Sequence, residues 1–510
     1  MPRPDEATAG VADTIPTTRS YQRGVVLLLM LAYAFNASDR SIIAIIGQAM
    51  KGELGLSDTE LGLLGGTAFA LLYAFSGIPV ARLAERFNRV TIISIALIVW
   101  SGLTAMCGLA SSFSQLLLLR IGVGAGEAGC TPAAHSLMSD YFAPGRRATV
   151  LSVYSSGISV GYIFGAVVGG FVAVRFGWRA ALIAVGLPGI VCAVLLKLLI
   201  REPPRGYSEP KADVSPTVSG SLAATTGAFS LRAEFAELAA VARALFLSWP
   251  VANLVLGVVI ASFASYGSWA FVPPYFRRAF GLDLGTIGLV SGLAGGVSVG
   301  LGTLAGGVIA DYLGRRGPRW YALVPAVGLA IATPLYMLAF LQHSWQATAL
   351  VLAIPGFFHY TYLGPTFGVV QNVVDSRRRA TATAVIYMLL NVVALGCGPL
   401  FTGWAIDHFA AFNFSHPDSG SLVATLIRMA HEGAGSGFQQ ACPGGQAPVG
   451  ASPALHAACA DALALASRQG ILVTIIFYGW AALHYLAGAF GLAAAMRTAA
   501  QRNAAVAAAR

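Results

Sequence analysis

The sequence GVIADYLGRR at residues 307–316 decides the fold, because a similar sequence, ARLAERFNRV, occupies residues 81–90. The two stretches are 226 positions apart. Further along the chain, the tripeptide RAT that begins at Arg147 recurs at Arg379, an offset of 232 positions, and six additional residues in a loop explain the change. The sequence therefore predicts two similar halves arranged as a parallel duplication.

The composition excludes most soluble proteins. Of 510 residues, 56% are hydrophobic and only 11% are charged, whereas about a quarter of the residues are charged in soluble globular chains. So few charges cannot cover a water-exposed surface of this size, which argues against a soluble enzyme and against a disordered chain. The net charge of +10 lies in short arginine clusters between apolar stretches, so we expect no nucleic-acid partner.

Apolar stretches of bilayer length recur along the chain. A helix needs about 20 apolar residues to cross a bilayer. We predict spans at 22–50, 58–82, 89–111, 113–142, 147–174, 179–200, 247–277, 283–312, 319–341, 346–374, 380–408 and 469–497. With the repeat, they predict an all-α membrane protein with twelve transmembrane helices in two pseudo-symmetric halves of six.

The arginine clusters predict the orientation, since cytoplasmic loops carry an excess of Lys and Arg. The clusters at 82–89, 146–147, 315–319 and 377–379 all fall on one side of the twelve-span topology. We therefore expect both termini in the cytoplasm and a location in the plasma membrane or inner membrane.

This topology divides the chain into five regions. They are a cytoplasmic tail at 1–21, a first half at 22–200, a cytoplasmic linker with an amphipathic helix at 201–246, a second half at 247–497 and a cytoplasmic tail at 498–510. The second half includes a long extracytoplasmic loop at 410–468.

The cysteines indicate neither a metal site nor a redox motif, because none form a CxxC pair. Cys442 and Cys459 lie in the predicted extracytoplasmic loop, where an oxidising compartment would allow a disulfide. We predict that bond, and the alternative is two free thiols.

Four glycines, Gly157, Gly161, Gly165 and Gly169, recur at every fourth position. Such a stripe of small residues is typical of close helix contact in membranes.

The repeated stretch resembles GxLADRxGRR, a signature of the major facilitator superfamily. The second half carries it nearly intact and the first half in a diverged form. The resemblance implies cytoplasmic gating, in which a carboxylate and arginines latch neighbouring helices, whereas the simpler alternative is membrane anchoring by positive charge. The residues concerned are Glu85, Arg86 and Arg89 in the first half and Asp311, Arg315 and Arg316 in the second.

Within that superfamily the chain resembles the Spinster lipid transporters. The resemblance rests on Asn36, Asp39 and Arg40, on LSDTELGLL at 56–64 and on RIGVGAGEAG at 120–129. It implies a lipid substrate.

Four charged residues fall deep within predicted spans: Asp39, Arg40, Arg120 and Glu127. A charge at the bilayer centre costs about 2.5–3.5 kcal/mol on insertion scales, so we expect these side chains to face one another or a water-filled cavity. Arg120 and Glu127 are seven positions apart and share a helix face. We interpret Asp39 and Glu127 as proton-coupling carboxylates and the arginines as charge partners or anion anchors. The alternative is a permanent ion-pair cluster.

Other polar and aromatic residues within spans are candidates for the wall of a substrate cavity. They are Asn36, Tyr266, Trp269, His359, Tyr360, Tyr362, Tyr387 and Asn391. The alternative for each aromatic residue is a place in an interfacial belt.

Together these features predict a proton-coupled, alternating-access transporter of an amphipathic lipid, such as a lysophospholipid or a sphingosine-1-phosphate-like molecule. The alternative is a proton-coupled transporter of soluble organic anions or drugs. A membrane enzyme is disfavoured, because we find no pattern of nucleophile and base. We expect a monomer with no cofactor, driven by a proton gradient.

Overall fold

The computed structural model describes residues 18–142, 144–204, 207, 231–374, 379–418, 420–433 and 435–508. Within these residues all regular structure is helical. Most of the predicted N-terminal tail, much of the linker and the last two residues of the chain lie outside the described residues.

The described helices of the first half follow the predicted spans. They are α1 Arg19–Leu54, α2 Asp58–Gly62, α3 Ala68–Arg86, α4 Arg89–Cys107, α5 Phe113–Glu127, α6 Cys130–Tyr141 and α7 Pro144–Leu199. A π turn, Leu63–Thr67, joins α2 to α3.

The linker helix and the second half continue the numbering. They comprise α8 Leu231–Leu247, α9 Trp249–Phe280, α10 Leu284–Gly314, α11 Trp320–Phe340, α12 Trp345–His359, α13 Leu363–Val373, α14 Arg379–Leu389, α15 Gly396–Ser415, α16 Leu422–Glu432, α17 Phe438–Ala441, α18 Pro453–Ala489 and α19 Leu492–Ala508. A 3-10 turn joins α12 to α13, and a π turn, Leu390–Leu395, joins α14 to α15. The predicted amphipathic linker helix is α8, which buries Val241 and Leu245.

Nine helices in the described part of the chain are long and apolar enough to cross a membrane. One of them, within α7, runs from Val153 to Leu199 and breaks at Gly177, where φ is 82°. The residues before the break run parallel to α1. The residues after it pack on α4, where Gly186 and Gly189 lie against Ser101, and at their end the Leu199 carbonyl accepts a hydrogen bond from the Tyr21 hydroxyl at 3.1 Å. The predicted spans 113–142 and 346–374 are each divided into two shorter helices. Both divisions occur next to candidate site residues.

The glycine stripe packs directly on α1. A side chain at Gly161 would collide with the backbone of Ala34, and one at Gly165 would collide with Ser38. Because glycine removes the Cβ atoms, the two backbones come into contact. The predicted close helix contact is confirmed.

The last span differs from its predicted limits of 469–497. Its helix, α18, already begins at Pro453, where the Ser452 side chain caps the first turn, and ends at Ala489 before Gly491 at φ 85°. Proline at the first helical position and serine at the cap both favour this early start. The segment predicted as a loop is therefore largely helical.

The disulfide between Cys442 and Cys459 is formed, and both cysteines are buried. It ties the short segment after α17 to the first turns of α18. A backbone contact of this segment, between Gly444 and the Lys51 carbonyl, places it against the end of α1.

Replacing both disulfide cysteines by serine should lower stability. The bond closes a loop of 17 residues, for which loop-closure entropy predicts about 3 kcal/mol. Thermal unfolding of the purified protein should show a lower midpoint for the double variant under oxidising conditions. The matched control is Cys397→Ser, since Cys397 is a free, exposed cysteine. An equal midpoint for the double variant and the parent would contradict the prediction.

Candidate functional site

The break between α5 and α6 places Glu127 at the centre of the first half. Its side chain is fully buried, and its Oε2 accepts hydrogen bonds from Asn36 Nδ2 at 2.6 Å and from Arg40 Nη2 at 3.0 Å. Asn36 and Arg40 are one turn apart on α1, so a single face of that helix supplies both donors.

A second ion pair lies next to the first. Arg120 Nη1 donates to Asp39 Oδ2 at 2.6 Å, and both side chains are buried. The hydroxyl of Thr104, on α4, donates to the other oxygen of Asp39. The four charges that sequence analysis singled out are thus brought together as two ion pairs linking α1 and α5.

The two pairs differ in how completely their atoms are bonded. Both oxygens of Asp39 accept hydrogen bonds, whereas Glu127 Oε1 and Arg40 Nε have no partner among the described residues. A buried polar atom without a partner costs about 1–3 kcal/mol. The Glu127–Arg40 pair therefore retains unused bonding capacity.

Arg40 connects this pair to a cavity between the halves. About 27% of its side chain is exposed, and its guanidinium lies 4.5 Å from the ring centre of Phe69. The remaining cavity wall is aromatic and aliphatic. It includes Ile43, Ala44, Gly47, Leu61, Tyr162, Tyr266, Trp269, Phe271, Pro274, Leu395 and Pro399. The cavity is therefore apolar with one cation at its edge, and Tyr266 and Trp269 line it as predicted.

Two other candidates do not lie on this wall. His359 and Tyr362 are buried in the second half, where His359 Nδ1 lies 3.1 Å from the Tyr336 hydroxyl and Tyr362 pairs with Ser262 at 3.0 Å. They face α9 and α11 instead of the opening. The residue types alone did not reveal which face of the broken helix points inward.

The remaining candidates of the second half are more exposed. Tyr360 is half-buried and its hydroxyl lies 3.3 Å from that of Ser265. Tyr387 is 53% exposed. Asn391 donates to the Tyr387 carbonyl at 2.8 Å, within its own helix, so it supports the π turn locally.

A second buried charge cluster, which sequence analysis missed, joins the two halves. We call Lys51, Asp58, Arg278 and Asp407 the inter-half lock. Arg278, from α9, donates to both oxygens of Asp58 at 2.5 and 3.1 Å, and Lys51 donates to the same carboxylate at 2.6 Å. Lys51 and Asp58 are fully buried.

The fourth member of the lock reinforces the contact in the opposite direction. Asp407, from α15, accepts hydrogen bonds from the backbone N–H groups of Asp58 and Thr59 at 3.0 and 2.8 Å. These are free donors at the start of a helix, which attract a carboxylate. Each half therefore places a carboxylate against donors of the other half. Because these partners lie at least 220 positions apart, no local pattern in the sequence pointed to them.

Arg89, one of the predicted gating residues, lies inside the first half. Its guanidinium is buried and contacts Asp140, and it donates to Glu202 Oε1 at 2.6 Å and to the Pro203 carbonyl at 3.1 Å. It therefore fastens the start of α4 to the end of α6 and to the chain after α7.

The other predicted gating residues are placed less firmly. Asp311 accepts a hydrogen bond from the Tyr321 hydroxyl at 3.0 Å, and Asp311, Arg315 and Arg316 are exposed. The side chains of Glu85 and Arg86 lie outside what the structure describes.

The family model of the Major Facilitator Superfamily matches residues 29–396. The chain belongs to the major facilitator superfamily. The predicted family and the predicted major facilitator fold are confirmed, and they are those of an integral membrane transporter; the count of twelve transmembrane helices stays a prediction.

A solved structure extends the comparison to nearly the whole chain. It is the crystal structure of a bacterial homolog to the human lysosomal transporter Spinster, in an inward-facing and unoccupied conformation. This chain is 33% identical to it, with a TM-score of 0.74, and the match covers 92% of this chain and 98% of that chain. The Spinster resemblance is thereby confirmed.

Two further relatives are similar in sequence, and neither is named as a Spinster protein. An MFS-type efflux pump of Mycolicibacterium smegmatis is 32% identical over 380 residues, 74% of this chain and 83% of the relative. A probable L-galactonate transporter of Escherichia coli is 25% identical over 419 residues, 81% of this chain and 90% of the relative.

In a major facilitator transporter, the inter-half lock has a clear consequence. It seals the halves together at the end that carries the disulfide and that the arginine clusters predict to be extracytoplasmic.

Removing the arginine of the lock should open this end. In Arg278→Gln, the Asp58 carboxylate keeps only Lys51, and breaking a buried pair costs about 3–5 kcal/mol. The reporter is Ala44→Cys, which lines the cavity, in a Cys397→Ser background. A membrane-impermeant maleimide added from outside should label the Arg278→Gln reporter faster than the parent reporter.

The matched control is Arg179→Gln. Arg179 contacts Glu53 at the same end but within the first half, so labelling should stay at the parent rate. If Arg278→Gln also labels at the parent rate, the cluster does not hold the halves together.

Proposed function

We propose that this protein is a proton-coupled, alternating-access transporter of an amphipathic lipid with an anionic head group, of the lysophospholipid or sphingosine-1-phosphate type. One observation carries the proposal: the buried Glu127–Arg40 ion pair stands at the edge of a cavity whose other walls are aromatic and aliphatic. A single cation beside an apolar wall suits a molecule with one charged end and one apolar end. The similarity to a Spinster homolog supports the same substrate class.

The ion pair supplies a direct link between protons and substrate. An anionic head group that binds Arg40 takes the place of the Glu127 carboxylate. Glu127 is then left in a medium of low dielectric without its counter-ion, a situation that favours its neutral form. Substrate binding and proton uptake at Glu127 therefore favour each other, and by linkage the effect is reciprocal.

Asp39 and Arg120 are proposed as the second pair of this mechanism. Because both carboxylate oxygens of Asp39 are bonded, this pair holds its geometry while the Glu127–Arg40 pair exchanges partners. Asp39 and Arg120 lie on different helices, so the bond between them would be released by movement of α5 against α1.

The sealed end and the cavity together suit alternating access. We propose that the lock closes the extracytoplasmic side while the cavity is reached from the cytoplasm, and that both termini are cytoplasmic. The disulfide at the sealed end supports this orientation, since disulfides persist in oxidising compartments.

A second candidate function is transport of a soluble organic anion. The similarity to a probable L-galactonate transporter favours it, and Arg40 would bind a carboxylate as well as a phosphate. In that case the apolar wall would contribute little to binding.

Glu127→Gln should abolish transport driven by a pH gradient, because the amide keeps the shape of the side chain but cannot take up a proton. The measurement is uptake of a fluorescent lysophospholipid into proteoliposomes, with and without an imposed pH gradient. Exchange of substrate without a gradient should persist.

The control is Glu53→Gln. Glu53 is a partly exposed carboxylate at the end of α1, bonded to Trp178 and Arg179, and its removal should leave the gradient response intact. Full gradient-driven uptake by Glu127→Gln would rule out the proton role of this residue.

Arg40→Gln should distinguish the two substrate classes. If the substrate is an anionic lipid, the variant should lose affinity for lysophosphatidic acid at least ten-fold, since charge-assisted hydrogen bonds to a desolvated anion contribute about 1.5–3 kcal/mol. Binding of the uncharged monoacylglycerol with the same chain should change little. Binding is measured by quenching of tryptophan fluorescence.

Galactonate provides the comparison for the alternative. Saturable uptake of galactonate, together with no binding of either lipid by the wild type, would replace the lipid proposal with the soluble-anion one. An equal loss of affinity for both lipids in Arg40→Gln would show that Arg40 does not recognise the charge of the head group.

A further inference from the structure

The segment between α15 and α18 contains a helix, α16, with an apolar face that no described residue covers. Val423 is 66% exposed, Leu426 42% and Ile427 56%. Ala430 is exposed on the same side. At 3.6 residues per turn these four side chains fall within an arc of about 100°. Exposed apolar faces of this kind mark interaction surfaces.

A second side of α16, next to the exposed apolar face, packs against the rest of the protein. Thr425 is fully buried and accepts a hydrogen bond from Gln469 Nε2, on α18, at 3.0 Å. Gln469 in turn accepts from Asn413, on α15, at 2.9 Å. Leu422 and Met429 pack against the core on the same side. The helix is therefore fixed to the end of α15 and to the middle of α18, on the side of the molecule that holds the inter-half lock.

The third sector of α16 is polar. Arg428, His431 and Glu432 lie together on it, and Glu432 contacts His416 at 3.0 Å and Arg428 at 3.4 Å. Around its axis the helix thus presents protein contact, exposed apolar side chains and polar side chains in turn. This is the pattern of an amphipathic helix at a membrane interface, with one side on lipid and one in water.

The neighbouring helices identify what covers the apolar sector. Trp404 on α15 and Ile476 on α18 are exposed apolar side chains of membrane helices, at 48% and 47%. Trp404 lies nine residues from Asn413 on α15, and Ile476 lies seven residues from Gln469 on α18. These separations are about 10–14 Å along the helix axes, and Asn413 and Gln469 are the residues that hold α16. The apolar sector therefore stands just above a surface that lipid chains must cover.

We infer that α16 lies in the outer leaflet of the bilayer, with Val423, Leu426, Ile427 and Ala430 among the lipid chains and its polar sector in water. The partner is a lipid surface and not a second protein. Interfacial helices bury their apolar face about 5–10 Å into the boundary between head groups and chains. The polar sector carries both signs of charge, so anionic lipid is not required.

Spin labels on the two exposed sectors test this placement. Ile427→Cys marks the apolar sector and His431→Cys the polar one, each in a Cys397→Ser background with the disulfide kept. The other free cysteines of the described chain, Cys107, Cys130 and Cys192, are buried. The labelled proteins are reconstituted into vesicles of pure phosphatidylcholine, and accessibility to oxygen and to a water-soluble nickel complex is measured by power saturation.

Label 427 should be several-fold more accessible to oxygen than to nickel, and label 431 should show the reverse. Adding anionic phosphatidylglycerol should change neither ratio. Equal access of nickel to both labels would overturn the inference, because the apolar sector would then be in water. An immobilised label 427 that neither reagent reaches would also overturn it, since a second copy or another protein would cover the sector.

Both substituted positions are exposed, so the labels disturb no packing. An unchanged gel-filtration profile checks that each variant remains folded. A third label at Ala424, on the polar side of the exposed surface, should follow label 431. Agreement of label 424 with label 427 would overturn the assignment of the sectors.

Discussion

The burial of charge within the first half is the constraint on which the rest of this molecule depends. Two carboxylates and two guanidiniums lie where the surroundings are mostly apolar, and such groups remain ionised only when they are paired and hydrogen-bonded. The helices must therefore bring Asp39 to Arg120 and Glu127 to Arg40. The glycine stripe of α7 contributes to this arrangement. It lets α1 pack closely against α7, which fixes the position of the donors Asn36 and Arg40 on α1. The break after Glu127 serves it too, by setting that carboxylate at the end of a helix.

The two halves solve the same geometry with different chemistry. At the repeat offset of 232, His359 corresponds to Glu127, and each residue stands at the end of the first part of a broken helix. Glu127 forms an ion pair with Arg40 on α1. His359 instead contacts the Tyr336 hydroxyl and packs against the rings of Tyr360, Tyr362 and Tyr478. The broken helix is present in both halves, whereas among the described residues this position forms an ion pair in the first half and a hydrogen bond between neutral side chains in the second. Proton coupling is accordingly proposed for one half, and a mainly aromatic wall for the other.

The fold followed from the sequence because its signals are local or periodic. Apolar length predicted the spans, the repeat predicted the two halves, and the scarcity of charge within spans led directly to Asp39, Arg40, Arg120 and Glu127. The lock could not be found in this way. Asp58 follows Ser57 in a capping pattern with Glu60, which is typical of any helix start, and its partner Arg278 belongs to the other half. His359 and Tyr362 were wrongly expected on the cavity wall, because side-chain type does not say whether a helix face turns toward its own half or toward the gap.

The polar nature of the inter-half lock affects how easily the molecule can reverse its state. An apolar interface of similar area would expose hydrophobic surface to water on separation, and no new hydrogen bonds would offset that cost. Here every group that parts, from the Asp58 carboxylate to the N–H of Thr59, can instead be hydrated. Water can thus replace the lost partners when the lock separates, so that one set of hydrogen bonds is exchanged for another. Polar contacts of this kind hold the two halves together and still allow them to separate.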